Sequence, residues 1–565
     1  MPMISNPPLP SFATVNSPRE RICLDSGWRF HLAPAQGALS TDPASPTFSD
    51  STWRIVHIPH DYVVEGTFTP TANVGHGSLP VEPAWYRKTF LLPTGDRNRA
   101  VWLDFDGVFR DSVVYLNGHK LGEHPSGYTG FSYDIGRFAH FGGNNILAVH
   151  VDPTQPEGWW YEGGGIYRHV WLNVANLVHV LPMGTYVTAQ CASSNATLTI
   201  QTSVASARLP GARTSGTLIS RIYAPNGREV AEASTPISLR IDQITSTQTL
   251  VLKQAALWSL DRPQLYRLHT IIQISGATVD ATDTPFGIRT IRFDADHGFF
   301  LNGRHVEIQG MCNHQDFAGL GIGLPDSILY WRVKQLKAMG CNALRMAHNP
   351  PPAELLDACD KLGVLVMDEN RHLGDTQLPK SPPGTTYSNL SDLAWMVQHD
   401  RNHPSVIMWS MCNEEPLESS AEGAKIFTAM KDLVHKYDTT RPVTCAMNYG
   451  WGQGISLAED LQGFNYFNSP DDYDTSHKAH PDIPVYASET SSGTRMPRES
   501  SFSSTTEVWA AKLCRAPVTP PGRSPIRQGH CSPEATMQPG APSLRIRYKR
   551  SRLPSNYSYP LIEPC

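Results

Sequence analysis

Between residues 306 and 490 the chain alternates short apolar runs with amphipathic helical stretches, and this alternation leaves few folds open. The runs are VEIQGMCNH, CNALRMAHN, VLVMDEN, SVIMWSMCN, VTCAMNY, GFNYF and PVYASET. Runs of this length without polar interruption suit strands buried on both faces. The stretches between them, such as SILYWRVKQLKAMG, PAELLDACDKLG and AEGAKIFTAMKDLVHKY, carry the helical period. In the first of these, Asp326 is expected to cap the helix, with Leu329, Val333, Leu336 and Met339 on one face and a stop at Gly340. Strands alternating with helices predict βα units around a parallel sheet, and seven such strands make most of a (β/α)₈ barrel.

Upstream the period changes to two. AVWLDFDGV, DSVVYLNGHKLG, NNILAVHVD and IYRHVWLNV alternate apolar with polar positions and are broken by Asn-Gly or Gly-rich turns, which predicts an antiparallel β-sandwich over residues 1–185. ATLTIQTSV, GTLISRIYAPNGREV, STQTLVLKQ and YRLHTIIQIS repeat the pattern in residues 186–292, spaced as in a seven-strand immunoglobulin-like sandwich. The barrel would occupy 293–500. In 501–565 no strand or helix period persists beyond LRIRYKR. With nine Lys plus Arg, three Glu and no Asp, this stretch is net +6. It reads either as a basic Pro/Ser-rich tail or as the product of a shifted frame or splice after the seventh strand, so the barrel is expected to lack its last strand.

The remainder of the composition mainly excludes. A net charge of -5 with scattered basic residues argues against a nucleic-acid partner. No stretch is long and apolar enough for a membrane helix, and the N-terminus has no signal-like apolar region, so a cytoplasmic location is expected. The ten cysteines include no C-x-x-C pair, which speaks against a zinc cluster or a disulfide framework.

Polar residues gather where the predicted strands end: Asn313 and His314 after the first, Arg345, His348 and Asn349 after the second, Asp368 and Glu369 after the third. Asn413 and Glu414 follow the fourth, Tyr466 the sixth and Glu489 the seventh. The C-terminal mouth of such a barrel is where its chemistry sits. Glu414 and Glu489 would face each other across that mouth, and two flanking carboxylates are what glycosidic cleavage needs, one protonated and one ionised. Desolvation and the neighbouring negative charge would raise the acid, while Arg345 would favour the ionised form of its partner.

DRNHPSVIMWSMCNE (400–414) closely resembles the acid/base signature of glycoside hydrolase family 2. NALRMAHNPPPAELL and IPVYASET, the latter like its nucleophile strand, resemble the same family, as do IPHDY, WYRKTF, GGIYRHVWL, LWSLDRPQLY and GIRTIRFDADHGFFLNGRHVEIQGMCNH. The likeness covers about residues 20–495. It implies a jelly-roll sugar-binding-like domain, an immunoglobulin-like domain and a catalytic TIM barrel performing exo-acting, retaining hydrolysis of β-glycosides. Carried over, Glu414 is the acid/base and Glu489 the nucleophile. Asn413 would bond the sugar 2-hydroxyl, Tyr466 would donate to the nucleophile and Arg345 would keep it ionised. His348 and Asn349 would touch the glycone, with Asn313 and His314 as further substrate contacts.

The general look is that of the β-galactosidases. The Asn-x-Lys pair shared by β-glucuronidases is absent, which favours a neutral sugar; a mannosidase, a glucuronidase or a non-catalytic carbohydrate-binding relative are the alternatives. No cofactor is required by this reading. Some relatives bind magnesium through a Glu-x-His after the third strand, where this chain has DENRHLG, so Asp368, Glu369 or His372 is a candidate for a magnesium ligand or a helix cap. Trp159, Trp160 and Tyr161 could form a sugar-stacking platform or pack between the sandwich and the barrel.

Overall fold

The computed structural model describes residues 18–33, 42–73, 76–155, 161–206, 214–239, 243–374, 390–466, 470–493 and 506–511. The N-terminal part packs two antiparallel sheets face to face. One has four strands, ordered Glu20–Cys23, Val170–Ala175, Ala100–Phe105, Phe131–Asp134. The other has six, ordered Arg54–Val56, Trp28–Leu32, Ala84–Leu92, Gly143–Val151, Ser112–Leu116, His119–His124. Side chains alternate along these strands, so every second residue, among them Tyr86, Leu103, Phe105, Leu147 and Val149, enters a shared core.

The second sandwich has three plus four strands, seven as the spacing predicted. They are Val178–Ala192, Asn195–Ser206 and Gln243–Leu252 facing Glu229–Leu239, Thr214–Tyr223, Leu265–Ile274 and Ala277–Gly287. Its first strand pairs with the second from Val178 onward and therefore runs through positions 185 and 186. Leu198, Ile200, Ile222, Leu268 and Phe286 fill the space between the sheets.

The C-terminal part is a closed barrel. Its strands are numbered here β1 (Ile308–Asn313), β2 (Ala343–Met346), β3 (Leu365–Glu369), β4 (Val406–Asn413), β5 (Val443–Met447), β6 (Leu461–Asn465) and β7 (Val485–Gly493), with β8 at Thr506–Ala511. The helices are α1 (Asp326–Ala338), α2 (Ala353–Leu362), α3 (Ser391–Asp400), α4 (Ala421–Tyr437) and α5 (Pro470–Ala479). β1 to β7 are parallel, so the seven-strand barrel stands as expected and no eighth parallel strand is present among the described residues. β8 runs antiparallel to both β7 and β1 and bridges the gap. The rest of 501–565 lies outside the described residues, as do Trp159 and Trp160.

All eight residues of β4 are buried, because one face meets the barrel interior and the other the helix layer. Trp409 lies in that layer, where its indole N–H donates to Asp438 Oδ2 at 2.9 Å. Helix α1 departs from expectation at its start but stops at Gly340 as expected, with Met339 as its C-cap and Gly340 left-handed at φ 99°. Asp326 is its first residue and not its cap; its carboxylate is drawn to His169 of the first sandwich at 3.0 Å. The helix ends at Ala338, leaving Met339 70% exposed, while Leu329 and Val333 are buried.

Single side chains tie both sandwiches to the barrel. Trp258 Nε1 donates to the Asp360 carbonyl at 2.9 Å and Tyr186 to Asp438 at 2.7 Å. Thr129 donates to Asp392 at 2.8 Å and Arg168 to the Pro350 carbonyl at 2.8 Å. No helix among the described residues is long and apolar enough to cross a membrane.

Candidate active site

The last residues of β3, β4 and β6 converge with Arg345 of β2 and with Glu489, which lies within β7 and not after it, on one buried network. Arg345 of β2 lies at its centre, fully buried. Its Nη1 meets Glu489 Oε1 at 2.5 Å, its Nε and Nη2 grip both oxygens of Glu369 at 2.9 Å each, and Nη2 also donates to Asn413 Oδ1 at 2.7 Å. Burial works against the guanidinium charge, but Glu369 and Glu489 outweigh it and raise Arg345 well above its ordinary value. A planar fork with several fixed donors can serve two carboxylates at once, which an ammonium cannot do as well.

Glu369 is further bound by Ser410 Oγ at 2.8 Å and by His348 Nδ1 at 2.8 Å. Desolvation pushes the Glu369 carboxyl up despite Arg345. Desolvation together with the Arg345 charge drives His348 well below the usual histidine range, so it is a neutral imidazole. Its Nε2 lies 4.0 Å from Glu489 Oε1.

Glu414 follows β4 in the left-handed region, at φ 48°, and Tyr466 follows β6 at φ 59°. Non-glycine residues enter this region at a cost of about 1–2 kcal/mol. Each turn is held by a main-chain bond to a neighbouring strand: Glu414 N–H to the Ala446 carbonyl at 2.9 Å, and Tyr466 N–H to the Glu489 carbonyl at 2.6 Å. Strain concentrated at one mouth is what a pre-organised site shows.

Asn465, the last residue of β6, joins the two halves. Its Nδ2 donates to Glu414 Oε1 at 2.9 Å and to Asn413 Oδ1 at 3.1 Å, and its Oδ1 accepts from Ser488 Oγ at 2.6 Å. The path from Glu414 to Glu489 thus runs through Asn465, Asn413 and Arg345.

Of the residues singled out by sequence, Arg345, His348, Asn413, Glu414 and Glu489 meet in this network. His314 and Asn349 line an adjoining pocket with His348, Arg371 and, from the first sandwich, Tyr128 and Tyr161. Tyr161 also donates to Asp61 of the same sandwich at 2.9 Å, and Asp61 in turn accepts from the Ile322 N–H on the barrel side at 2.9 Å. Asn313 is turned elsewhere: its Oδ1 accepts from Arg332 at 3.2 Å beside a cavity between the sandwich and the barrel. Glu415 faces away from Glu414, accepting from the Leu373 N–H at 3.0 Å and His372 at 3.2 Å.

The proposed magnesium ligands do not converge. Glu369 is engaged by Arg345, His372 by Glu415, and Asp368 is buried against Asp400 in the barrel wall. These residues do not fit a shared cation, and among the described residues none caps a helix, since α3 is preceded by Leu390. Sequence reasoning missed Asn465, Ser410 and Ser488; the only signal for Asn465 was its place at the end of a strand beside Tyr466.

Two carboxylates at the C-terminal mouth of a βα barrel, with two β-sandwiches ahead of it in the chain, define the architecture of a barrel glycoside hydrolase. The chain belongs to glycoside hydrolase family 2. The model "Glycosyl hydrolases family 2, TIM barrel domain" matches residues 294–480, "Glycosyl hydrolases family 2" matches 178–289, and "Glycosyl hydrolase 2 galactose-binding domain-like" matches 77–162. The β-galactosidase BoGH2A of Bacteroides ovatus is 39% identical over 411 residues, 72% of this chain and 48% of that protein. A β-glucuronidase of Bacteroides fragilis is 26% identical over 515 residues, 85% of this chain and 69% of that protein. A crystal structure of a family 2 member from Bacteroides cellulosilyticus aligns with a TM-score of 0.78 and 33% identity, covering 83% of this chain and 61% of that one. The chain spans about half the length of curated relatives such as BoGH2A.

Proposed function

We propose that this chain is an exo-acting, retaining β-glycoside hydrolase acting on β-galactosides, with Glu489 as nucleophile and Glu414 as acid/base. The observation that carries the proposal is the asymmetry of the two carboxylates: Glu489 is ion-paired to the buried Arg345 at 2.5 Å, whereas Glu414 is bound at 2.9 Å by the neutral amide of Asn465. In the first step a Glu489 oxygen bonds to the anomeric carbon as the bond to the aglycone oxygen breaks, and Glu414 gives that oxygen its proton. In the second, ionised Glu414 takes a proton from water, whose oxygen attacks the anomeric carbon and releases Glu489. In this reading Asn413, held by Arg345 and Asn465, meets the 2-hydroxyl, and His314, His348 and Asn349 meet the remaining glycone.

A second reading, a β-glucuronide, is favoured by Arg371, a buried guanidinium in the wall of the adjoining pocket. The purified full chain should hydrolyse 4-nitrophenyl β-galactoside, and Glu489→Gln and Glu414→Gln should each abolish turnover. Unchanged turnover in both variants sinks the assignment. Faster hydrolysis of the matching β-glucuronide transfers it to the second reading, and glycan binding without hydrolysis to a binding protein.

A further inference from the structure

We infer that Asn465 is a positioning residue for acid catalysis: it decides which oxygen of Glu414 carries the catalytic proton. The inference rests on the acid/base role proposed for Glu414.

Asn465 is 1% exposed, so its amide cannot satisfy itself with bulk water and must take its partners from the site. Those partners leave one orientation. Oδ1 accepts from Ser488 Oγ at 2.6 Å, which leaves Nδ2 as the end turned toward Glu414 Oε1 and Asn413 Oδ1, at 2.9 and 3.1 Å. The opposite orientation would set an amide oxygen against two acceptors.

An N–H donor on Oε1 makes that oxygen the carbonyl-like one whenever Glu414 is protonated. The transferable proton is thereby directed to Oε2. The same bond favours the ionised form that must act as base in the second step.

Ser488 precedes Glu489 on β7, and Asn413 precedes Glu414 on β4. One amide therefore ties the backbone neighbours of both carboxylates together across the mouth. Glu414 itself sits in a left-handed turn, a conformation its surroundings must enforce, and Asn465 supplies a side-chain restraint to it.

The test is leaving-group dependence. Glycosides with 2,4-dinitrophenol as leaving group need no proton, whereas phenyl and methyl glycosides do. In the full chain, Asn465→Ala should reduce kcat/KM for phenyl glycosides by about 30-fold or more and for the dinitrophenyl glycoside by less than about threefold, within the range general acids contribute. The alkaline limb of the kcat/KM profile should move up by about one pH unit, because a donor that favoured the carboxylate has gone. Asn465→Asp, which sets a second negative charge beside Glu414, should move that limb further in the same direction. Ser488→Ala frees the amide without touching Glu414 and should give the same pattern at smaller size, which covers the case in which Asn465 variants fold poorly.

Equal losses for all leaving groups with an unmoved alkaline limb overturn the inference and leave Asn465 a packing residue. If instead Glu414→Gln shows no leaving-group dependence, the acid/base assignment itself fails, and the two failures are told apart by which variant lacks the effect.

Discussion

Arg345→Met should uncouple the stability of the barrel from its activity. The wild-type guanidinium makes two 2.9 Å bonds to Glu369 and a 2.5 Å pair with Glu489, all within a fully buried site. Removing one partner of a buried ion pair costs about 3–5 kcal/mol, because the remaining charge stays desolvated. Ser410 and His348 still bind Glu369, so the two carboxylates together are not expected to double that figure. For a domain of this size the loss corresponds to about 6–20 °C in the barrel transition by calorimetry.

The pH dependence follows from Glu369, whose carboxyl burial already raises. Without Arg345 its folded value rises further above the unfolded one. The destabilisation is then largest at about pH 8 and shrinks toward about pH 5, where taking up a proton is easy. Adding Glu369→Gln removes the orphaned charge, so the double variant should regain at least half of the lost stability. Its activity should stay down by about 10²–10³-fold, since Glu489 still lacks its cation. A barrel transition within about 2 °C of wild type at both pH values, or a double variant less stable than the single one, refutes the reasoning.

Asp368 is pushed well above its ordinary value by burial and by Asp400, so its contribution is present at low pH and is lost as pH rises through its folded value. Asp368→Asn should therefore flatten the alkaline fall of the melting temperature while leaving the value near pH 5 within about 2 °C. Cys412 and Cys445 are fully buried with sulfurs 3.1 Å apart; burial pushes Cys412 up to about 12 and Cys445 well above its usual range. Neither should react with iodoacetamide in the native protein at mildly alkaline pH, whereas both should in concentrated urea, as peptide mass spectrometry can show. Ser420 accepts from the Gly423 N–H at 2.9 Å at the start of α4, so Ser420→Ala should cost about 1 kcal/mol in denaturant titration without changing kcat/KM.

The parts of this molecule that a linear reading could reach are those set by local pattern. The run from Val406 to Asn413 is buried at every position because it stays largely apolar until the strand ends, and polar residues at five other strands mark the same mouth. Glu414, Glu489 and Arg345 follow from that placement. What local pattern cannot carry is the direction a side chain takes once strands far apart in sequence become neighbours. Asn313 and His314 are adjacent, yet Arg332 draws one toward the sandwich side while the other lines the pocket. Asp326 looks like a helix cap until His169, 157 residues earlier, claims its carboxylate. Asn465 reads as one more polar loop residue, and only its three partners from β4 and β7 give it a role.

Barrel closure poses the same problem at the level of topology. An eighth βα strand would run from the bottom of the barrel to the mouth and deliver there the residues that follow it. β8 runs the other way: Thr506 pairs with Gly493 and Glu507 with Cys312 near the mouth, while Ala511 pairs with Ile308 at the opposite end. Hydrogen bonding around the ring is completed by either direction, because a strand's donors and acceptors serve parallel and antiparallel neighbours alike. Delivery of residues to the mouth is not, because an antiparallel strand does not end there as a parallel one would. Among the described residues, the network of Arg345, Glu369, Asn413, Glu414, Asn465 and Glu489 draws on β2, β3, β4, β6 and β7 and their immediate ends. Its geometry therefore depends on the ring being closed between β7 and β1.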